Sequence, residues 1–296
     1  MHRKLRRPPI RSGGSGASSR FSHMLPISTF QAVAPAPPVI LLPPSEGKAG
    51  GGDGPPVEWD GGRFTQLGPQ RKVVRDAVLR VIRRRAAAQG LLGVKGAHLD
   101  RALDEWADIG TAPTMPAGLR YSGVVWDALD IPGLPAPARR RAMSRIVVPS
   151  GLWGLVAADD PIPAYRLKMS ARVGDLGRLS AWWLPVLGTA LAERSRRGMI
   201  IDLLPQEHAA AIDPVVLRSG SLLRVEILEP GPGRRSVGHA GKSLKGRLAR
   251  SIIQADARSA ADVAALRVPG LRPGERGTGS VATVSFTRTP EPDGLA

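Results

Sequence analysis

Cysteine is absent from the chain, and with it go disulfides, thiolate metal sites and a cysteine nucleophile. That suits a reducing compartment, and a cytoplasmic protein is expected. Aromatic residues make up only 4% of the sequence, too few for a single-strand binder that stacks one base after another. His2, His23, His98, His208 and His239 are scattered, with no H-x-x-x-H or H-E-x-x-H spacing, so neither a metal site nor a cofactor is expected. No apolar stretch approaches the roughly 20 residues a membrane span needs. The basic start Met1 to Arg7 is not followed by the apolar region of a signal peptide, so no membrane association is expected. Acidic residues are scarce as well, and none occurs before Glu46.

Basic residues fill that gap. Lys and Arg total 42 against 25 Asp and Glu, which gives a formal net charge of +17 and a pI near 11.4. A polyanionic partner is the direct implication. Arg3, Lys4, Arg6, Arg7, Arg11 and Arg20 account for part of the excess, yet the rest of the chain stays basic without them. Residues 1–36 are rich in Arg, Ser, Gly and Pro and poor in large apolar side chains, so they read as a disordered basic tail. The composition of this tail fits an organellar transit peptide or a nucleic-acid-binding arm. It also fits a reading frame extended upstream of a true start at Met24 or later, which the preference for Arg over Lys favours by suggesting a GC-rich bacterial genome. A single domain is expected over 37–289, with a disordered C-terminus at 290–296, and a monomer is expected.

Val39 to Leu42 form an unbroken β-prone run, and Pro43 cannot donate to a ladder, so the strand ends there. Ser45, Glu46 and Lys48 are thereby delivered to the carboxyl edge of a sheet, where ligands gather in open α/β folds. Gly47 and Gly50 to Gly52 leave backbone N–H groups unhindered beside a lysine, which suits an anion, although a glycine-rich loop after an edge strand reads the same way. The spacing is not that of a Walker A loop.

Arg71 to Arg85 places Val73, Val74, Ala77, Val78, Val81 and Ile82 at helical spacing, with Arg71, Lys72, Arg75, Arg80, Arg83, Arg84 and Arg85 on the other face and Gly90 as the stop. The basic face is either solvated or a phosphate contact. Gly93-Val94-Lys95-Gly96 then leads into a second amphipathic stretch with Leu99, Leu103 and Trp106. Helix, glycine-bracketed turn, helix is the shape of a helix-hairpin-helix, in which backbone N–H groups approach a DNA phosphate, and Lys95 adds a charge there. Any helical hairpin with a glycine C-cap has a similar pattern.

Further along, short strands are expected at Gly123 to Trp126 and Arg145 to Val148, and a turn at Ser150 to Gly154. An extended segment follows, in which Arg166 and Lys168 alternate onto one side. Tyr165 and Trp153 read as core. A helix capped by Ser180 runs to about Arg197, and a strand spans Met199 to Leu204. Ser221 to Leu228 alternates as a half-buried strand, and Val281, Val284 and Phe286 supply the last one. The helix from Gly241 to Ala257 carries Lys242, Lys245 and Arg250 on one broad face, opposite Leu244, Leu248 and Ile252. Strands interleaved with helices imply a mixed α/β (α+β) domain with a central sheet.

The segment Pro43-Pro44-Ser45-Glu46-Gly47-Lys48-Ala49 resembles the opening of the YaaA peroxide stress protein family. Further matches follow in the family's order: Arg120-Tyr121-Ser122-Gly123 with Trp126 to Leu129, then Ser150 to Gly154 leading to Tyr165 to Met169, then Ile200 to Leu203, and finally Lys242-x-x-Lys245-Gly246 with Arg250. The resemblance implies DNA-binding character at the Gly93 to Gly96 turn, a partner in duplex or branched DNA, and a role against hydrogen peroxide through lowered free iron. Three features depart from the family pattern: the basic N-terminal extension, Pro185 within a helix, and Lys245 where many relatives carry Arg, which keeps the charge without the bidentate fork. The competing expectation is an enzyme acting on a nucleotide or nucleic-acid phosphate, or a small phosphate ligand, held by Ser45, Glu46, Lys48, Arg166, Lys168, Lys242, Lys245 and Arg250. No catalytic triad, two-metal carboxylate set or phosphate-loop fingerprint accompanies those residues, so a non-enzymatic DNA-binding protein is the first expectation.

Overall fold

A computed structural model describes residues 36–196, 198–213, 222–232, 236–238, 241–278 and 281–289. The expected basic tail and C-terminal segment fall outside these residues, apart from Ala36. The described chain is mixed α/β, built on a seven-stranded sheet. Its strands are β1 (Val39–Leu41), β3 (Ile146–Ser150), β4 (Gly154–Ala157), β6 (Ile200–Asp202), β7 (Leu222–Leu228), β8 (Leu271–Thr278) and β9 (Ala282–Arg288). They lie side by side in the order β4-β3-β1-β6-β7-β9-β8. Strands β3, β1, β6, β7 and β9 run parallel, and β4 and β8 close the two edges antiparallel. A separate two-stranded ribbon joins β2 (Met115–Pro116) to β5 (Pro161–Ile162).

Val39, Ile40 and Leu41 are all buried because β1 is an inner strand, paired with Ile146 and Val147 on one side and Ile200 to Asp202 on the other. Burial on both faces is why this strand is a continuous apolar run. The chain leaves β1 for β3 on one side and later enters β6 on the other, so the loop after β1 stands where the strand order reverses.

The helices are α1 (Gly68–Ile82), α2 (Arg85–Leu92), α3 (Ala97–Ala107), α4 (Ala117–Arg120), α5 (Val124–Leu129), α6 (Ala136–Arg145), α7 (Leu179–Ser195), α8 (Gln206–Ala209), α9 (Gly241–Gln254) and α10 (Ala260–Ala264). α9 packs against α5 so closely that a Cβ at Gly246 would lie 2.2 Å from the Val125 carbonyl oxygen. Only glycine fits there, and this close approach sets Lys242 and Lys245 beside Gly123 and the start of α5.

Several expectations are corrected. Gly90 lies inside α2, and Gly93, with φ of 68°, ends it. Arg71 is buried and Val73 is 41% exposed, which reverses their assigned faces. Arg71 tolerates burial because its guanidinium donates to the carbonyls of Trp153 (3.1 Å), Gly61 (2.9 Å) and Leu155 (3.1 Å). The β-branched Val124 and Val125 belong to a helix, since the Asp127 carboxylate accepts from the Gly123 N–H at 3.1 Å and holds the helical start. Ser180 sits within the first turn of α7 rather than capping it. β4 and β8 were not anticipated.

Candidate functional site

The loop after β1 is pinned by a second strand-like pairing. Lys48 bridges Tyr121, the Ala49 N–H donates to the Arg120 carbonyl (2.8 Å), and the Ser122 N–H donates to the Gly47 carbonyl (3.3 Å). Arg120, fully buried, supports the loop from beneath by donating to the carbonyls of Ala49 (2.6 Å), Gly51 (2.9 Å), Pro113 (3.2 Å) and Ile162 (3.2 Å). These two motifs, distant in sequence, thus form one structural unit.

Glu46 is the centre of a charged knot. Its carboxylate meets the Arg166 guanidinium and, at 2.8 Å, the Lys168 ammonium. Burial pushes the Glu46 carboxyl up, but the hydrogen bonds and charges of Lys168 and Arg166 outweigh it and hold the group below its usual range. Arg166 also donates from Nε to the Leu92 carbonyl at 3.0 Å, and Trp106 Nε1 donates to the Arg166 carbonyl at 3.0 Å. The α2–α3 hairpin is therefore tied to the β1 edge through one arginine.

Lys48 turns its ammonium inward. Nζ donates to the Ser45 carbonyl at 2.6 Å and lies 4.4 Å from the Tyr165 ring centroid and 5.2 Å from that of Tyr121. Burial lowers it to about 7, with Arg166 adding to the effect and Glu105 and Glu46 opposing it. Behind it runs a buried hydroxyl chain, Tyr121 to Tyr165 (2.9 Å) to Ser150 (2.7 Å). Burial keeps both phenols protonated, with Tyr165 pushed up to about 12.

Three hollows open at this edge. A crevice of about 830 Å³, lined by Ser45, His208, Arg224, Lys242 and Lys245 among others, lies between the loop after β1 and α9. A pocket of about 290 Å³ is lined by Ser45, Glu46, Lys48, Arg166, Lys168 and His208. One of about 160 Å³ separates Lys48 from Val94, His98 and Arg101 of the hairpin and α3. Arg224 of the crevice wall pairs with buried Asp202 at 3.1 Å, and Asp202 accepts the Leu204 N–H at 2.9 Å. Burial lowers Lys245, with Asp202 opposing. Burial also lowers His208, helped by Lys245 and opposed by Glu207.

Ser45, Glu46, Lys48, Arg166 and Lys168 are thus brought together, and Lys242 and Lys245 face the same edge from α9. Arg250 is not among these lining residues. It clamps the carbonyls of Leu129 (2.7 Å), Asp130 (2.7 Å) and Gly133 (2.9 Å). In the hairpin, Gly93 and Gly96 both take positive φ (68° and 54°), and Lys95, Arg83 and Arg84 are exposed, while Arg85 pairs with Asp100 at 2.6 Å. Asp202, Arg224 and His208 were not singled out from the sequence, although Asp202 ends a legible strand and His208 follows it at the same carboxyl edge. Among the described residues, no cluster of three or more His, Asp or Glu side chains could hold a metal ion, and no helix is long and apolar enough to cross a membrane.

A family model described as peroxide stress protein YaaA matches residues 39–276, from the first residue of β1 into β8. The chain belongs to that family. A UPF0246 protein of Streptomyces coelicolor is 35% identical over 216 residues, covering 73% of this chain and 82% of its own length. A UPF0246 protein of Corynebacterium glutamicum is 35% identical over 239 residues, covering 76% and 89%. More distantly, one from a Ruegeria strain is 29% identical over 160 residues, covering 52% and 64%. The YaaA match spans the β1 loop, the hairpin, the Arg166 segment and α9, so every part of the edge described above lies within it.

Proposed function

We propose that this YaaA family member is a cytoplasmic DNA-binding protein of the hydrogen peroxide response, gripping duplex or branched DNA through the α2–α3 hairpin and the adjoining basic edge. The observation that carries this reading is the turn itself. Gly93 and Gly96 hold positive φ, and a Cβ at Gly96 would meet no atom within 4 Å, so the backbone there faces open space. Lys95 stands exposed between them, and Lys168 approaches the turn from the Glu46 knot, with Nζ 3.9 Å from a Cβ placed at Gly93. Such a turn can bring N–H groups and a cation to a phosphate without side-chain obstruction. Lowering of free iron, which the family resemblance implies, is assigned no residue in this reading.

The test is a salt titration of duplex binding. Replacing Lys95, Arg83 and Arg84 with Ala should weaken affinity and flatten the log–log salt slope by roughly 0.9 for each phosphate that is no longer neutralised. Unchanged affinity and slope would remove DNA from this surface. The crevice supports a second reading, a small phosphate ligand facing Lys242 and Lys245, and saturable nucleotide binding that is lost on changing Lys242 would favour it.

A further inference from the structure

We propose that Lys48 is a reactive amine that condenses with the ring-opened deoxyribose aldehyde of an abasic DNA site and cleaves the strand by β-elimination. This rests on the DNA-binding reading. Three observations converge on Lys48.

The first is its chemical state. Lys168 is bound to Glu46, Lys245 sits within the field of Asp202, and Lys242 is exposed. Lys48 differs from all of them. Its amine is enclosed by two tyrosine faces and bonded to a neutral carbonyl, with no carboxylate at ion-pair distance among the described residues. A desolvated amine of this kind carries a neutral fraction near pH 7, which is the form that attacks a carbonyl carbon.

The second is position. The 160 Å³ hollow has Lys48 on one wall and Val94, His98 and Arg101 on the other, so the amine faces the same hairpin proposed to hold the DNA backbone. Arg166 fixes that spacing by bonding both Glu46 and the Leu92 carbonyl. Lys168 also approaches the turn, but Glu46 holds its ammonium as an ion pair, so Lys48 is the amine suited to react with a sugar extruded into this hollow. Extrusion costs least where the base is already missing.

The third is a partner base. The 290 Å³ pocket is shared by Lys48 and His208, whose imidazole is held neutral by burial and whose Nδ1 is buried without a hydrogen-bond partner among the described residues. Glu46 is unsuited to the task because Arg166 and Lys168 occupy it.

The step balances with these groups alone. Nζ adds to C1′ of the aldehyde, and loss of one water with uptake of one proton from solvent gives the protonated imine. His208 takes the proton from C2′ and the freed pair forms the C1′–C2′ double bond of an enamine; collapse of the enamine forms the C2′–C3′ double bond and restores the protonated imine as the C3′–O3′ bond breaks. The phosphate departs as the 5′-phosphate end of the downstream fragment. Water then hydrolyses the conjugated imine, freeing Lys48 and an unsaturated aldehyde on the upstream fragment. The water released at condensation is consumed at hydrolysis, which also returns the proton taken up on forming the protonated imine, and no oxidant or reductant takes part.

The experiment is borohydride trapping. The full-length protein is incubated with a duplex carrying one abasic site and sodium cyanoborohydride, and the covalent adduct is mapped by peptide mass. The proposal predicts an adduct on Lys48 in the native protein, and at least a 100-fold loss of trapping in Lys48→Arg and Lys48→Ala. Mapping on the native protein decides the matter even where a variant fails to fold. Fluorescence anisotropy with the same duplex separates the two levels of the reading. Binding without an adduct overturns the amine chemistry and leaves the DNA reading intact, whereas absence of binding overturns both. An adduct on Lys95 or on the chain's terminal amine, or trapping of free 2-deoxyribose 5-phosphate alone, also overturns it.

Discussion

Replacing Lys48 with methionine should stabilise the protein, and by an amount that depends on pH. In the folded chain Lys48 titrates near 7, against an ordinary value of 10.5, because its ammonium is buried over Tyr165 and Tyr121. Between those two values the unfolded chain binds a proton that the folded chain does not, so stability rises with pH across that window. At pH 6 both states carry the charge and folding bears the whole desolvation cost, roughly 5 kcal/mol, while at pH 9 the folded amine is neutral and about 2 kcal/mol remains. Contributions that do not titrate, such as methionine packing, cancel in the comparison. The stability gap between Lys48→Met and the native protein should therefore shrink by about 3 kcal/mol from pH 6 to pH 9. Urea unfolding of both proteins at the two pH values measures this directly. A gap that stays constant would show that the Lys48 ammonium is solvated or paired, and the account of the site as a desolvated amine would be wrong.

Two further outcomes follow from the geometry. Arg71→Leu should destabilise by at least about 3 kcal/mol, since the carbonyls of Trp153, Gly61 and Leu155 lose their donor; a change in urea midpoint below a third of that would demote the carbonyl clamp. Glu46→Gln should cost no more than about 1 kcal/mol at neutral pH, because the knot is partly solvated. The same variant should tighten DNA binding and steepen its salt slope by freeing Arg166 and Lys168, and a weakened, flatter titration would argue that Glu46 positions those cations for the phosphate.

The elements set by local pattern were legible in the sequence. Val39 to Leu42 announced a strand, the alternation of Leu223, Val225 and Ile227 marked β7, and Leu244, Leu248 and Ile252 marked the buried side of α9. The gathering of Ser45, Glu46, Lys48, Arg166 and Lys168 was also anticipated, because a strand end and a period of two fix direction. What escaped depends on partners far away in the chain. Arg71 looked solvent-facing until carbonyls 82 and 84 positions later accepted its protons. Val124 and Val125 have strand-like side chains, and only the bond from the Gly123 N–H to Asp127 marks their helix. Arg250 shares a helix with Lys242 and Lys245, yet the carbonyls after α5 claim it. The enclosure of Lys48 by Tyr121 and Tyr165 needs three segments that only the fold brings together.

On the proposed reading, DNA is held by the folded edge and hairpin rather than by bulk positive charge. The most direct measurement is duplex and branched-DNA binding at several salt concentrations by the chain lacking residues 1–35, beside the full chain. Retained affinity that still falls when Lys95, Arg83 and Arg84 are neutralised is the result this account predicts. Binding that disappears with those 35 residues, leaving the remainder indifferent to DNA, would contradict it.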